Sequence, residues 1–254
     1  MRETIKNSVY GICWGLRNAL DPLLNFEEVS IFAYHSISNA RVDTAISPEA
    51  FERQLKYLSE HGHSFVPVAA ILAWMDGAGT LPRKAVAITF DDGYADFETT
   101  ALPILEKFKA PATQYIVGDA VAARGALGND IPLLSAEALQ RVRRHLLVEI
   151  GFHSMTHANL SRLPGDALVR EVASPFPARF FAYPGGNHSP SVAEAVRKAG
   201  YAAAFSIGQG LVRKNSSRYL LPRNVIIRGM PLWQVALRAT KAIQWYRTLI
   251  SFIK

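Results

Sequence analysis

The sequence predicts a single α/β domain built on parallel strands, and three observations carry that prediction. Apolar, β-branched runs of strand length recur along the chain with helical stretches between them, the order that a parallel sheet or barrel requires. Polar residues with reactive side chains fall where those runs end, at His35, Asp91, Asp92 and His153, and strand ends are where such folds collect functional groups. No internal repeat or long linker interrupts the 254 residues, which are 49% hydrophobic and long enough to bury a full core.

The chain opens with MRETIKNSVYGICWGLRNALDPLLNF, whose apolar stretch at 9–16 is short and broken by Gly11 and Gly15. It makes a poor signal peptide and is read as an N-terminal amphipathic segment, residues 1–28, ahead of a catalytic-type domain over 29–230. The first strand is predicted at 29–34 and delivers His35. SPEAFERQLKYLSEHG then reads as a helix, with Ser47 as N-cap, Pro48 at its first position, and Phe51, Leu55 and Leu58 on one face. His61 and His63 fall at the end of that helix and the turn after it. A strand at 85–90 runs into Asp91 and Asp92, with Gly93 supplying a turn and a helix starting near Tyr94. Further strands are predicted at 112–117, 146–151, 179–183, 202–206 and 224–227, with a second capped helix starting at Ser135. His188 reads as a loop residue before a helix capped at Ser189. Tyr94, Tyr183 and Trp74 are of the type that stacks on sugar rings and equally of the type that fills cores.

The ending, PLWQVALRATKAIQWYRTLISFIK, sets Leu232, Trp233, Ala236, Ala239, Ile243, Tyr246 and Ile250 at near-helical spacing, with Arg238, Lys241 and Arg247 between them. Residues 231–254 are therefore predicted as a basic amphipathic helix, suited to a membrane surface or to the outer layer of a barrel. The net charge is +7, the last acidic residue is Glu194, and eleven Lys or Arg follow it. A basic end of this kind suits an anionic partner, and a peripheral membrane contact through the basic ends is the expectation. No nucleic-acid-binding signature accompanies the charge, so no nucleic-acid partner is expected. No run approaches the length of a transmembrane helix. The expected location is cytoplasmic or peripheral to the cytoplasmic membrane. Cys13 is the single cysteine, which excludes an intramolecular disulfide and a cysteine-rich zinc cluster, so a metal site would use His, Asp or Glu.

The doublet in ITFDDGY is the central puzzle. Adjacent side chains on a strand point to opposite faces, so Asp91 and Asp92 can do different work; the same residues also read as a polar turn with one Asp capping a helix. HSMTH spaces His153 and His157 four apart, which on a helical turn sets both imidazoles on one side. With a carboxylate from a neighbouring strand end, the pair makes two His and one Asp with open positions, a set suited to a divalent metal. Asp92 as ligand and Asp91 as free base would use both acids, and His35 stands at the right end of the sheet to give a proton to a leaving group.

These residues resemble the polysaccharide deacetylases of carbohydrate esterase family 4, which share the NodB homology domain. TFDDGY at 89–94 is similar to the family's first motif, HSMTH at 153–157 to its second and FAYPGG at 181–186 to its third, and the resemblance extends over roughly 29–227. It implies a single distorted (β/α) barrel of the NodB-homology type. It also implies a hydrolase removing N-acetyl groups from an N-acetylhexosamine-containing polysaccharide, oligosaccharide or lipid-linked glycan, with zinc, or cobalt or nickel, as the divalent ion. By the match Asp91 is the base and Asp92, His153 and His157 are the ligands. The third motif departs from the commoner pattern, since Ala182 stands where the family carries an Arg; Arg179 does not match that place, and Arg223, in LPRNVI, is the candidate replacement beside Asp91. FAYPGG together with YHSI resembles the branch typified by poly-N-acetylglucosamine deacetylases of exopolysaccharide systems, in which the early His, here His35, supplies the acid. The match also sets the backbone N–H of Gly185 near the developing oxyanion.

The link REVASPFPARF before the third motif is shorter than the family's. That departure motivates one alternative, a catalytically silent glycan-binding homologue in an exopolysaccharide biosynthesis complex. A two-His-one-carboxylate metal oxygenase is a further alternative, against which the second Asp counts, because such an enzyme has no evident use for it.

Overall fold

The computed structural model describes residues 28–240; the predicted N-terminal segment, Cys13 and the tail beyond 240 lie outside them. The strands are β1 (Glu28–Tyr34), β2 (Ser36–Ile37), β3 (Ala45–Ile46), β4 (Ser64–Phe65), β5 (Ala85–Phe90), β6 (Ala112–Ile116), β7 (Val148–Phe152), β8 (Phe180–Ala182), β9 (Ala203–Ile207), β10 (Val212–Arg213) and β11 (Leu221–Val225). The helices are α1 (Pro48–Glu60), α2 (Val68–Met75), α3 (Leu102–Lys107), α4 (Ala120–Leu127), α5 (Ala136–Arg143), α6 (Gly165–Val172), α7 (Pro190–Lys198) and α8 (Leu232–Arg238). A π-helical turn, Phe97–Ala101, runs directly into α3.

The sheet closes on itself. Its order runs β1, β11, β9, β8, β7, β6, β5 through parallel pairings, and β5 returns to β1 with Ser30 opposite Val86 and Tyr34 opposite Phe90. These seven parallel strands with helices around them are the (β/α) barrel expected from the sequence. Short β4 pairs with the start of β5, and β10 runs antiparallel to the start of β1.

Alternation along the strands divides the core in two. Val29, Ile31, Ala85, Ala87, Tyr115, Phe180, Ala182, Ala203, Phe205 and Leu221 form one cluster, and residues from six strands of a closed sheet converge only in its interior. Helix α2 adds Val68, Ile71, Leu72 and Trp74 to that cluster and so stoppers the end where the strands begin. The Val68 and Ala69 amides at the start of α2, where the Pro67 cap supplies no side-chain partner, favour the charged form of the Glu149 carboxylate against the burial that raises its pKa. Phe32, Tyr34, Ile88 and Phe90 face outward beneath Phe51, Leu55 and Leu58 of α1.

Helix α1 forms as its sequence dictates. Ser47 accepts from the Ala50 amide, Pro48 opens the helix, and Phe51, Leu55 and Leu58 are fully buried, each worth about 1.5–3 kcal/mol of burial. Helix α5 is capped by Ser135 and α7 by Ser189, as predicted. Helix α8 buries Val235, Ala236 and Leu237, with Val235 on the outer cluster. Trp74, Tyr94 and Tyr183 are buried at 6%, 1% and 0% exposure, so none offers a ring face to a sugar. Among the described residues no helix is long and apolar enough to cross a membrane.

Two expectations are corrected. The last barrel strand begins at Leu221, before the predicted 224, so Arg223 is a strand residue and not part of the approach to one. Residues 153–159 form no helical turn; the His pair is brought together by a loop, described below.

Candidate active site

The end of the barrel opposite α2 carries the polar residues. Asp91 follows β5, its N–H donating to the Tyr34 carbonyl at 3.0 Å, and His153 follows β7, its N–H donating to the Ile116 carbonyl at 2.9 Å. These bonds extend the strand ladders by one residue, so both side chains inherit the rigidity of the sheet. Beyond Asp91 the chain turns sharply: Asp92 has φ +72° and Gly93 φ +83°. Asp is among the few side chains that enter the left-handed region readily, and the glycine meets no Cβ penalty there. A Cβ at Gly93 would lie 3.1 Å from Ile116 Cδ1.

The histidine loop is built on backbone of the same kind. Ser154 has φ +64° and His157 φ +59°, so three of the five non-glycine left-handed residues among those described lie at this site. Such conformations persist only where the surroundings over-determine them. Here the His157 N–H donates to Ser154 Oγ at 3.0 Å, and Glu171 of α6 accepts from the Thr156 N–H at 3.0 Å and from its hydroxyl at 2.6 Å. Glu171 was not legible as a site residue, because nothing in its sequence context ties a helix carboxylate to Thr156, fifteen residues earlier.

Asp92, His153 and His157 converge. Asp92 Oδ1 lies 3.5 Å from His153 Nε2 and 3.4 Å from His157 Nε2, and one ligand atom from each residue falls within 4.8 Å of the others. His153 Nδ1 lies 2.8 Å from the Ala182 carbonyl; a carbonyl only accepts, so Nδ1 carries the hydrogen and Nε2 presents its lone pair. Burial pushes the His153 pKa down to about 4 against the pull of the nearby carboxylates, which keeps the imidazole neutral at neutral pH, the form that binds metal. Asp92 is 4% exposed, yet its Oδ1 has no hydrogen-bond partner. An orphaned carboxylate oxygen aimed at two imidazoles is costly unless a cation completes it, and the donor set fits a divalent ion.

Asp91 is held differently. Arg223, fully buried on β11, donates to Oδ1 at 2.6 Å and to Oδ2 at 2.8 Å in a two-pronged pair, and its Nη1 also reaches Thr89 Oγ1 at 3.2 Å. The guanidinium carbon stands 5.0 Å over the Tyr115 ring. Burial works against ionisation of Asp91, but the Arg223 charge and its hydrogen bonds outweigh that and hold the carboxyl well below the usual carboxylate range. Asp91 Oδ2 is 3.9 Å from His153 Nε2, so the pair stands beside the triad and outside it. The two acids of the doublet thus have separate environments.

His35 follows β1, is half-buried, and lies close enough to Asp91 for its charge to act on that carboxyl. Its Nδ1 is buried without a hydrogen-bond partner. Gly185 lies in the turn Pro184–Gly186 that leaves β8, at φ +57°. Ala182, where the family pattern has an Arg, contributes its carbonyl to His153. Arg179 sits at the far end of β8 against Phe180 and takes no part. The short link before Phe180 leaves β8 in register with both β7 and β9. His61 stacks on Tyr57, and His63 bonds the Lys84 carbonyl near the start of β5, both away from the site.

Comparison with known proteins bears on the whole arrangement. The chain is 26% identical over 213 residues to the poly-beta-1,6-N-acetyl-D-glucosamine N-deacetylase of Staphylococcus aureus, a match covering 77% of this chain and 72% of that protein. Among solved structures, the deacetylase PplD of Streptococcus pyogenes superposes with a TM-score of 0.70 at 20% identity, over 84% of this chain and 98% of that one. IcaB from Ammonifex degensii superposes with a TM-score of 0.68 at 24% identity, over 85% and 99%. These two likenesses establish the barrel. The polysaccharide deacetylase family profile matches residues 78–204, half of the sequence, which spans both the acidic doublet and the histidine loop, and the chain belongs to that family.

Proposed function

We propose that the chain is a metal-dependent hydrolase that removes N-acetyl groups from an N-acetylhexosamine-containing glycan, polymeric or lipid-linked. The observation that carries this reading is the division of the doublet: Asp92 faces two imidazoles with an unpartnered oxygen, while Asp91 beside it is locked to Arg223. Asp92, His153 and His157 would hold the ion, zinc in the first instance, with cobalt or nickel as substitutes. Bound there, a divalent cation supplies Lewis acidity for an amide carbonyl and lowers the pKa of a water.

The protein's own groups do the rest. Asp91 is ionised throughout the neutral range and takes a proton from the attacking water. Arg223 fixes the orientation of its carboxylate, so no reorganisation is needed as the proton moves. His35, when protonated, gives its proton to the departing amine. The Gly185 N–H stands ready for the oxyanion. Expulsion of the amine leaves acetate and a free amino sugar. The Staphylococcus relative's name makes β-1,6-linked N-acetylglucosamine oligomers the first substrate to try. Zinc-reconstituted protein should release acetate from them and chelated protein should not; equal release in both would refute metal dependence, and none across a panel of N-acetylated glycans would refute the activity.

A further inference from the structure

His35 lacks the ring bond that fixes His153. The His153 Nδ1 is held at 2.8 Å from the Ala182 carbonyl, whereas the His35 Nδ1 is buried without a hydrogen-bond partner. The backbone on either side then sets its place. Before it, the Tyr34 carbonyl accepts from the Asp91 N–H at 3.0 Å. After it, two donors converge on Asp96: the Ser36 hydroxyl donates to Oδ2 at 2.5 Å and the Ile37 N–H to Oδ1 at 3.0 Å. A carboxylate only accepts, so the Ser36 hydrogen points to Asp96, and Ser36 Oγ, 2.6 Å from Ser38 Oγ, receives a hydrogen from Ser38.

Residues 34–37 are thus gripped on both sides of His35 by residues 91–96, the segment that follows β5 and itself carries Asp91. The Asp96 side chain does nothing for its own helix: it stands at the start of the π-helical turn Phe97–Ala101 and makes no capping bond to it. Both of its oxygens are turned to the other segment. Ser36 is fully buried and Asp96 half-buried, so water competes poorly for these bonds. Strand β2 offers little hold of its own, having two residues and pairing only with equally short β3.

We propose that Asp96 is a positioning residue for the acid: by binding Ser36 and Ile37 it holds His35 in a fixed relation to Asp91, so that the group that gives a proton and the group that takes one are set by a single clamp. This rests on the reading of Asp91 as the base and His35 as the acid. Misplacing a reacting group by about 1 Å can cost about 100-fold in rate. Asp96 acts through the backbone next to His35, so its loss should slow turnover and leave the metal in place.

The test is acetate release from β-1,6-linked N-acetylglucosamine oligomers by the zinc-loaded full chain, with a zinc titration and thermal melting of each variant alongside. Asp96→Ala is expected to lower kcat by about 10–100-fold, with KM and zinc affinity within about twofold of wild type. Asp96→Asn, which keeps an oxygen for the Ile37 N–H and offers an amide hydrogen to Ser36 Oγ, should restore kcat to within about threefold of wild type. Added to His35→Ala, Asp96→Ala should cost nothing further, because it acts through that residue. The same cycle with Ser36→Ala, which removes one of the two bonds and should lose about three- to tenfold alone, decides the case if Asp96→Ala melts below the assay temperature. A kcat within about twofold of wild type in folded Asp96→Ala overturns the proposal, as do losses that multiply in the double variant, the result if Asp96 merely supports the fold. Wild-type protein that releases no acetate overturns the activity itself and this inference with it, an outcome distinct from wild type and Asp96→Ala turning over alike.

Discussion

Replacing Arg223 with Met should expose how strongly the barrel interior depends on the Asp91 pair. The unbranched Met side chain keeps most of the volume beside Tyr115, so the change is chiefly electrostatic. It removes two charge-assisted hydrogen bonds, at 2.6 and 2.8 Å, from a carboxylate that is 2% exposed. Stranding one partner of a buried pair costs about 3–5 kcal/mol. At roughly 2–4 °C per kcal/mol for a chain of this size, the metal-free melting point should fall by about 6–20 °C near neutral pH. The pH dependence carries the sharper signature. In the wild type the Asp91 pKa is depressed, so its stabilisation is present above the ordinary carboxylate value of 3.8 and is lost as pH falls through the lower folded value. In the variant, burial loses its main opponent, with only the smaller pull of His153 and His35 left against it, and the carboxyl rises. The penalty is then greatest where Asp91 is ionised and shrinks as pH falls through that raised value. Scanning calorimetry of chelator-treated protein from about pH 8 to about pH 5 should therefore show the gap between variant and wild type narrowing in acid. Arg223→Met combined with Asp91→Asn should recover part of the loss, since no charge is then stranded. A melting point within about 2 °C of wild type at neutral pH, or a gap that widens in acid, would refute the reasoning.

Other perturbations have equally definite outcomes. His35→Ala should lower kcat by about a hundredfold or more while leaving zinc affinity unchanged in a calorimetric titration; loss of zinc would make His35 a ligand. Glu171→Ala leaves the Thr156 N–H and hydroxyl without their acceptor, and zinc affinity should drop about tenfold as the histidine loop loosens; an unchanged titration would separate that loop from the metal. Gly186→Ala introduces a Cβ 2.2 Å from Ile207 Cγ1 and 2.9 Å from its backbone nitrogen, at φ +69°. Urea denaturation should show a loss of about 1–3 kcal/mol, and an unshifted midpoint would contradict the close packing of the β8 turn on β9.

The barrel was legible because each buried strand is a short β-branched run ended by polar residues, and because Ser47 with Pro48, Ser135 and Ser189 announce helices through their own chemistry. Asp91, His35 and His153 could be placed together because parallel strands bring their carboxyl ends to one side. Arg223 was harder to place on a strand. Pro222 before it speaks against a strand interior, and a cation aimed into a barrel violates the apolar pattern until Asp91 is known to meet it. The run Val68–Met75 is apolar on all sides, so periodicity is silent about it, and its place across the end of the barrel follows only from the closed sheet. The histidine spacing of four is shared by a helical turn and by the loop that actually forms. What distinguishes them is the left-handed backbone at Ser154 and His157, which no glycine advertises. Asn129, whose Nδ2 donates to Tyr94 Oη at 2.7 Å beside the doublet, was invisible for another reason: that meeting depends on backbone pairing between Tyr94 and Leu133, far apart in sequence.

The most direct test of the account is Asp91→Asn measured in two ways on one preparation, as zinc bound per chain and as acetate released from N-acetylglucosamine oligomers. Asn keeps the shape of the side chain and cannot act as the base, while Asp92, His153 and His157 are untouched. Zinc uptake equal to that of wild type, with acetate release abolished, is the predicted result. Acetate release at the wild-type rate, or zinc lost together with activity, would contradict the division of the two carboxylates into one base and one ligand.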